Sequence, residues 1–170
     1  MIKPMKKRSR TKRNQLYNIH QANEIHLFSH KLDKILSGQS SGCLVAMNIR
    51  KFKFINEIFG REFADQLLVD TKRIIKSLLK PNEFCCRDHA DLFYIYLEDS
   101  QPEDAKQRIE DMMNHISSQF LVSVDSRYQI LFYAGIVMYS KETANHDLHA
   151  HNLMTSSHFA LASARDLAPN

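Results

Sequence analysis

Residues 43–49 read Cys-Leu-Val-Ala-Met-Asn-Ile, an almost unbroken apolar run of strand length that follows the loop-forming stretch Gly38-Gln-Ser-Ser-Gly42. A strand without polar alternation must be covered on both faces, so the rest of the chain has to provide helices for two sides of a sheet. It contains them. Leu16, Ile19, Ala22, Ile25, Leu27, Phe28, Leu32 and Leu36 recur at roughly helical spacing over 14–37. Phe52, Ile55, Ile58 and Phe59 predict a short helix over 51–59, which Gly60 is suited to end. Phe63, Leu67, Leu68, Thr71, Ile74, Ile75, Leu78 and Leu79 predict a longer one over 62–80, stopped by Lys80-Pro81.

Further along, residues 83–87 and 92–97 read as strands joined by a tight hairpin at Asp88-His89-Ala90-Asp91. Pro102-Glu103 opens an amphipathic helix that turns Ala105, Ile109, Met112, Met113 and Ile116 inward. Residues 120–125 and 128–139 predict a strand pair turning at Asp125-Ser126, and a His-rich loop (141–151) leads to a last helix at about 151–166. The order predicts an α+β fold, an α/β sandwich with a mixed, mainly antiparallel sheet of about five strands flanked by helices. The expected division is a basic disordered tail (1–13), an N-terminal helix and linker (14–38), and one domain over 40–167.

Charge narrows the function. Seven of the 23 Lys and Arg residues lie within residues 1–13, which hold no acid, and the other 16 face 19 acids, a balance of −3. The basic character therefore belongs to the tail, which could tether the chain to nucleic acid or an anionic membrane. The folded part lacks the basic, aromatic surface of a nucleic-acid domain. No segment reaches the roughly 18 apolar residues of a membrane span, and no apolar stretch follows the basic start as in a secretory signal. Three cysteines, two of them adjacent (Cys85, Cys86), read as small buried apolar residues of a cytoplasmic protein, as does Cys43. His26 with His30, and His146 with His149 and His151, lack the companion acids or cysteines of a metal site. Phosphate-cradling glycine loops and the G-x-S-x-G nucleophile elbow are absent from the sequence.

One stretch carries more information. Met47-Asn-Ile-Arg-Lys-Phe-Lys-Phe-Ile-Asn-Glu-Ile-Phe-Gly-Arg-Glu-Phe-Ala-Asp-Gln-Leu-Leu68 resembles DxDxFKxINDxxGHxxGDxLL, the first half of the GGDEF (diguanylate cyclase-type) family. Phe52, Lys53, Ile55, Asn56, Phe59, Gly60, Asp65, Leu67 and Leu68 stay in register. Arg87-Asp-His-Ala-Asp-Leu-Phe93 takes the place of the arginine and signature hairpin, Tyr133-Ala-Gly-Ile-Val137 resembles SIGVA, and Ala160-Leu-Ala-Ser-Ala-Arg165 resembles the final ALYxAK helix.

The resemblance implies a nucleotide-cyclase palm-like fold and a site where GTP and Mg²⁺ meet, two facing domains together making cyclic di-GMP. It also implies loss of the chemistry. Asn48 replaces the first metal carboxylate, His89 and Ala90 replace the glycine pair, and Leu92 replaces an acid tied to catalysis. Asp91 keeps the second metal carboxylate, with Asn48 a weak companion. Losing one positioned charge often costs ~10²-fold in rate, and here two charges and the turn go together. Asn56, Asp65 and Arg165 match positions that contact guanine and phosphate, and Lys80 and Glu83 stand in the register of the product-inhibition RxxD. Lys cannot make the bidentate fork of Arg. The expected function is a catalytically inactive regulatory, GTP-sensing or dimerisation module, paired with itself or with another GGDEF or phosphodiesterase domain. The alternatives are a weakly active cyclase relying on Asp91, and a basic-tail tether.

Overall fold

The computed structural model describes residues 7–38, 40–121, 129–140, 142 and 148–168. The elements run α1 (Lys7–Leu36), β1 (Gly42–Ile49), α2 (Phe52–Phe59), α3 (Arg61–Leu78), β2 (Phe84–Arg87), β3 (Leu92–Glu98), α4 (Pro102–Leu121), β4 (Phe132–Tyr139) and α5 (Ala150–Asp166). Helix α1 begins at Lys7, so residues 7–13 of the expected tail are helical, and residues 1–6 lie outside the described part.

Four strands are present among the described residues, in the order β2-β3-β1-β4, and every pairing is antiparallel. The sheet is therefore not mixed, and the expected fifth strand is missing from the described residues. The sequence pattern places Phe120 in that strand, but it lies one turn beyond Ile116 and completes the buried stripe of α4, so the helix continues to Leu121. The rest of the expected turn, 122–128, lies outside the described residues.

Strand β1 sits between β3 and β4, as its apolar run requires, and alternation sorts its side chains between two cores. Cys43, Val45, Met47 and Ile49 face a core with Ile55, Leu67, Ile75, Ile109 and Ile116 from α2, α3 and α4. Leu44 and Ala46 face a second core, with Phe28, Leu32 and Leu36 of α1 and Leu153 and Leu161 of α5. Ile19 and Leu27, expected in the α1 stripe, are instead exposed. Cys43, Cys85 and Cys86 are buried free thiols, and burial pushes Cys43 up to about 12 and Cys85 up to about 11. These thiols are inert packing groups at neutral pH.

Two contacts fix α5. Asp33 of α1 accepts the Ala150 backbone N–H at 2.7 Å, placing a carboxylate at the helix N-terminus, where the backbone dipole favours it. At Gly135 the α5 backbone lies directly on β4, where a Cβ would stand 2.1 Å from the Leu161 nitrogen. Glycine is required there by space.

Candidate functional site

The β2–β3 hairpin closes tightly. The Asp88 N–H donates to the Leu92 carbonyl at 2.9 Å, and the Leu92 N–H donates to the His89 carbonyl at 3.0 Å. The turn needs a left-handed residue, and Ala90 takes it at φ 47°. A Cβ in this region costs roughly 1–2 kcal/mol relative to right-handed backbone, so the hairpin keeps a glycine shape without a glycine. His89 is exposed, with Nδ1 2.9 Å from the Asp88 carboxylate oxygen.

Asp91 follows in the turn, and its Oδ2 accepts the Ile49 N–H at 3.0 Å. Burial pushes its carboxyl above the usual range, opposed by that bond, by its own backbone N–H, and by the charges of Arg165 and His89. Arg165 thus lies within electrostatic reach of Asp91 from the far end of α5. Asn48 pairs across the sheet with Leu92, so both lie on the side facing α1 and α5. The Asn48 Oδ1 is buried and has no hydrogen-bond partner among the described residues. Leu92 is 5% exposed and packs in the second core.

Asn56 and Asp65 come together. Gly60 joins α2 to α3 at φ 84°, a turn that folds the two helices against each other and puts both residues on one cleft of about 260 Å³. Phe52, Gln21, Arg87 and Ala90 complete much of its wall. Asp65 stands 3.8 Å from Arg61, an exposed pair that holds it weakly. Arg87 is buried, and desolvation lowers its pKa. Arg165 does not line this cleft.

Lys80 and Glu83 lie apart from it. The Glu83 carboxylate accepts two bonds from Arg108 of α4, both 2.7 Å, with further bonds from the Lys80 and Glu98 backbone N–H groups. Burial alone would raise its pKa, but the Arg108 and backbone bonds hold it below the carboxylate range. Both oxygens are engaged in structure, while Lys80 contributes its backbone and leaves its side chain exposed. Sequence reading missed Arg108. Its signal was there, since position 108 falls on the inward stripe between Ala105 and Met112. Gln21 was also missed, and no pattern in α1 marks it.

A protein-held Mg²⁺ would need oxygen ligands with charge. Asn48 offers a partnerless amide oxygen and Asp91 one carboxylate whose proton affinity is already raised, and no group of three His, Cys, Asp or Glu residues able to hold a metal exists among the described residues. These residues do not fit an ion held by the protein alone. His26, His30, His149 and His151 are exposed, and His146 lies outside the described residues.

The family profile described as "Diguanylate cyclase, GGDEF domain" matches residues 14–168, and the chain belongs to that family. The probable diguanylate cyclase DgcJ of Escherichia coli is 29% identical over 120 residues, covering 69% of this chain and 23% of DgcJ. The bifunctional diguanylate cyclase/cyclic di-GMP phosphodiesterase MucR of Pseudomonas aeruginosa is 25% identical over 126 residues, covering 73% and 17%. The chain thus spans less than a quarter of the length of these relatives. Among solved structures, the GGDEF domain of Caulobacter crescentus DgcB in complex with c-di-GMP superposes with a TM-score of 0.70 at 19% identity, covering 84% of this chain and 85% of that one. The active GGEEF domain of a Vibrio cholerae diguanylate cyclase gives 0.66 at 20%, covering 85% and 89%. At that identity the likeness concerns fold. No helix among the described residues is long and apolar enough to cross a membrane.

Proposed function

We propose that this chain is a catalytically inactive GGDEF domain that senses GTP and regulates cyclic di-GMP signalling, pairing with a second GGDEF or phosphodiesterase domain. The observation that carries the reading is the split between two neighbouring regions. The cleft holding Asn56 and Asp65 is formed and open, and a carboxylate facing guanine N–H groups is apt chemistry. Beside it, the family's catalytic positions on β1 and the hairpin hold one carboxylate (Asp91), a neutral amide (Asn48) and a leucine (Leu92) where metal-assisted phosphoryl transfer needs positioned charge. Mg²⁺ would arrive with the phosphates, and Asp91 is the one hairpin carboxylate at the family's metal position.

The division into an N-terminal helix and linker over 14–38 and one degenerate GGDEF domain over 40–167 is part of the same reading. Titration of Mg²⁺-GTP into the purified chain by calorimetry, with ATP as control, tests it. Micromolar binding selective for GTP supports a nucleotide sensor, whereas no binding up to millimolar GTP makes the cleft vestigial. Robust cyclic di-GMP synthesis abolished by Asp91→Ala would replace this reading with the weak-cyclase one.

A further inference from the structure

Helix α1 carries Gln21, Glu24 and Phe28 at intervals of three and four, which places them on one face. Two of them anchor that face. Phe28 is buried and meets Phe84 of β2 edge-on, with ring centroids 5.0 Å apart, and Glu24 is bonded to Lys72 of α3. One turn before Glu24, Gln21 reaches the Asn56/Asp65 cleft, and among the described residues it is the only α1 side chain in the wall. A second groove of about 400 Å³, between α1 and α3 and lined in part by Lys72 and Lys76, adjoins the cleft and shares Gln21, Leu68 and Arg87 with it. Gln21 is therefore held at the cleft by contacts that belong to the packing of α1.

Its amide is uncommitted. The Gln21 Nε2 is buried and has no hydrogen-bond partner among the described residues. A donor left unpaired in the interior is disfavoured until an acceptor reaches it. The last torsion of a glutamine is broad, so the amide can turn toward an acceptor in the cleft while α1 stays in place. The cations of the same wall are already engaged, Arg61 at 3.8 Å from Asp65 and Arg87 with an interaction of its own.

Guanine has the matching edges. An ionised carboxylate only accepts, so Asp65 suits the N1–H and N2–H donors of the base. The base then offers O6 and N7, both acceptors, to a donor elsewhere in the wall. Adenine would present an amino donor in place of O6.

Resting on the GTP-sensing reading, we propose that Gln21 is a base-reading residue, its Nε2 donating to the O6/N7 edge of a guanine held at Asn56 and Asp65. The base is thereby read from three helices, α1, α2 and α3.

Calorimetry on the full chain tests the proposal in wild type, Gln21→Leu and Gln21→Glu. The probes are GTP, 6-thio-GTP, whose sulfur is a poor acceptor, and 7-deaza-GTP, which has no acceptor at position 7. Gln21→Glu keeps the shape of the side chain, but its carboxylate cannot donate. The expected result is that wild type binds GTP about fivefold more tightly than at least one of the two analogues. Both variants should weaken GTP by about fivefold and bind GTP and that analogue alike. GTP affinity unchanged in both variants, or an equal loss for GTP and both analogues as a packing role would give, overturns the proposal and leaves the sensor reading standing. Failure of every nucleotide to bind wild type overturns both.

Discussion

Two carboxylates bracket the β2–β3 hairpin, Glu83 before β2 and Asp91 before β3, and their surroundings are opposite. Glu83 is fully enclosed, meets a bidentate guanidinium and two backbone N–H groups, and is held below its ordinary pKa. Asp91 meets the N–H of Ile49, and burial pushes it above its ordinary pKa. The first is compensated and serves the fold. The second is compensated only in part, by backbone N–H groups and the charges of Arg165 and His89, at the position where the family keeps a metal ligand.

The comparison can be broken most severely at Arg108. Arg108→Leu leaves Glu83 buried without its cation and should lower unfolding free energy by about 3 kcal/mol, read from urea denaturation. A loss below about 1 kcal/mol would mean that Glu83 is compensated by the backbone alone. Next in size is Gly135→Ala. Its added methyl must push α5 off β4, an expected loss of about 2–3 kcal/mol. Because Arg165 rides on α5, the same variant should further raise the Asp91 pKa, measured by NMR titration.

Asp91→Asn should act in the opposite direction. It removes the disfavoured charge while an amide oxygen still accepts from Ile49, a gain of about 1 kcal/mol at pH 7. The sign with pH follows. The folded pKa of Asp91 lies above its ordinary 3.8, so its cost is present at neutral pH and fades as pH falls through the folded value. Glu83, depressed below 4.5, contributes above that pH and loses its contribution only as pH falls further. Urea midpoints from pH 7 downward should therefore show the Asp91→Asn advantage shrinking as pH falls through the folded Asp91 pKa, while the Glu83 contribution is lost as pH falls below 4.5. The smallest effect is expected at Ala90→Gly. Relief of the left-handed strain, offset by the greater freedom of an unfolded glycine, leaves a gain of about 0.5 kcal/mol. If the same variant also tightens GTP, the Ala90 methyl was closing the hairpin side of the cleft.

The doubly covered strand and the helices on both faces were legible because each rests on local spacing, whereas Asn56 and Asp65 were marked by the family resemblance. The apolar run at 43–49 needs two covers wherever it sits, and Gly60 lets two short amphipathic helices fold back on each other. The identities lost at Asn48, His89, Ala90 and Leu92 were equally plain, since substitution is read directly from sequence. The fifth strand failed because Phe120 suits a strand and a helix stripe alike, and only packing chose between them.

Other features were settled by neighbours distant in the chain. Glu83 became a structural anchor because Arg108, on a helix beyond the next two strands, turns inward to meet it. Gln21, Lys72 and Lys76 became one groove because α1 packs beside α3 across more than forty residues of sequence. Spacing within a helix or strand is set by backbone geometry and can be read along the chain. Which charge finds a partner, and which stays uncompensated, depends on burial and on contacts that exist only once the elements are packed.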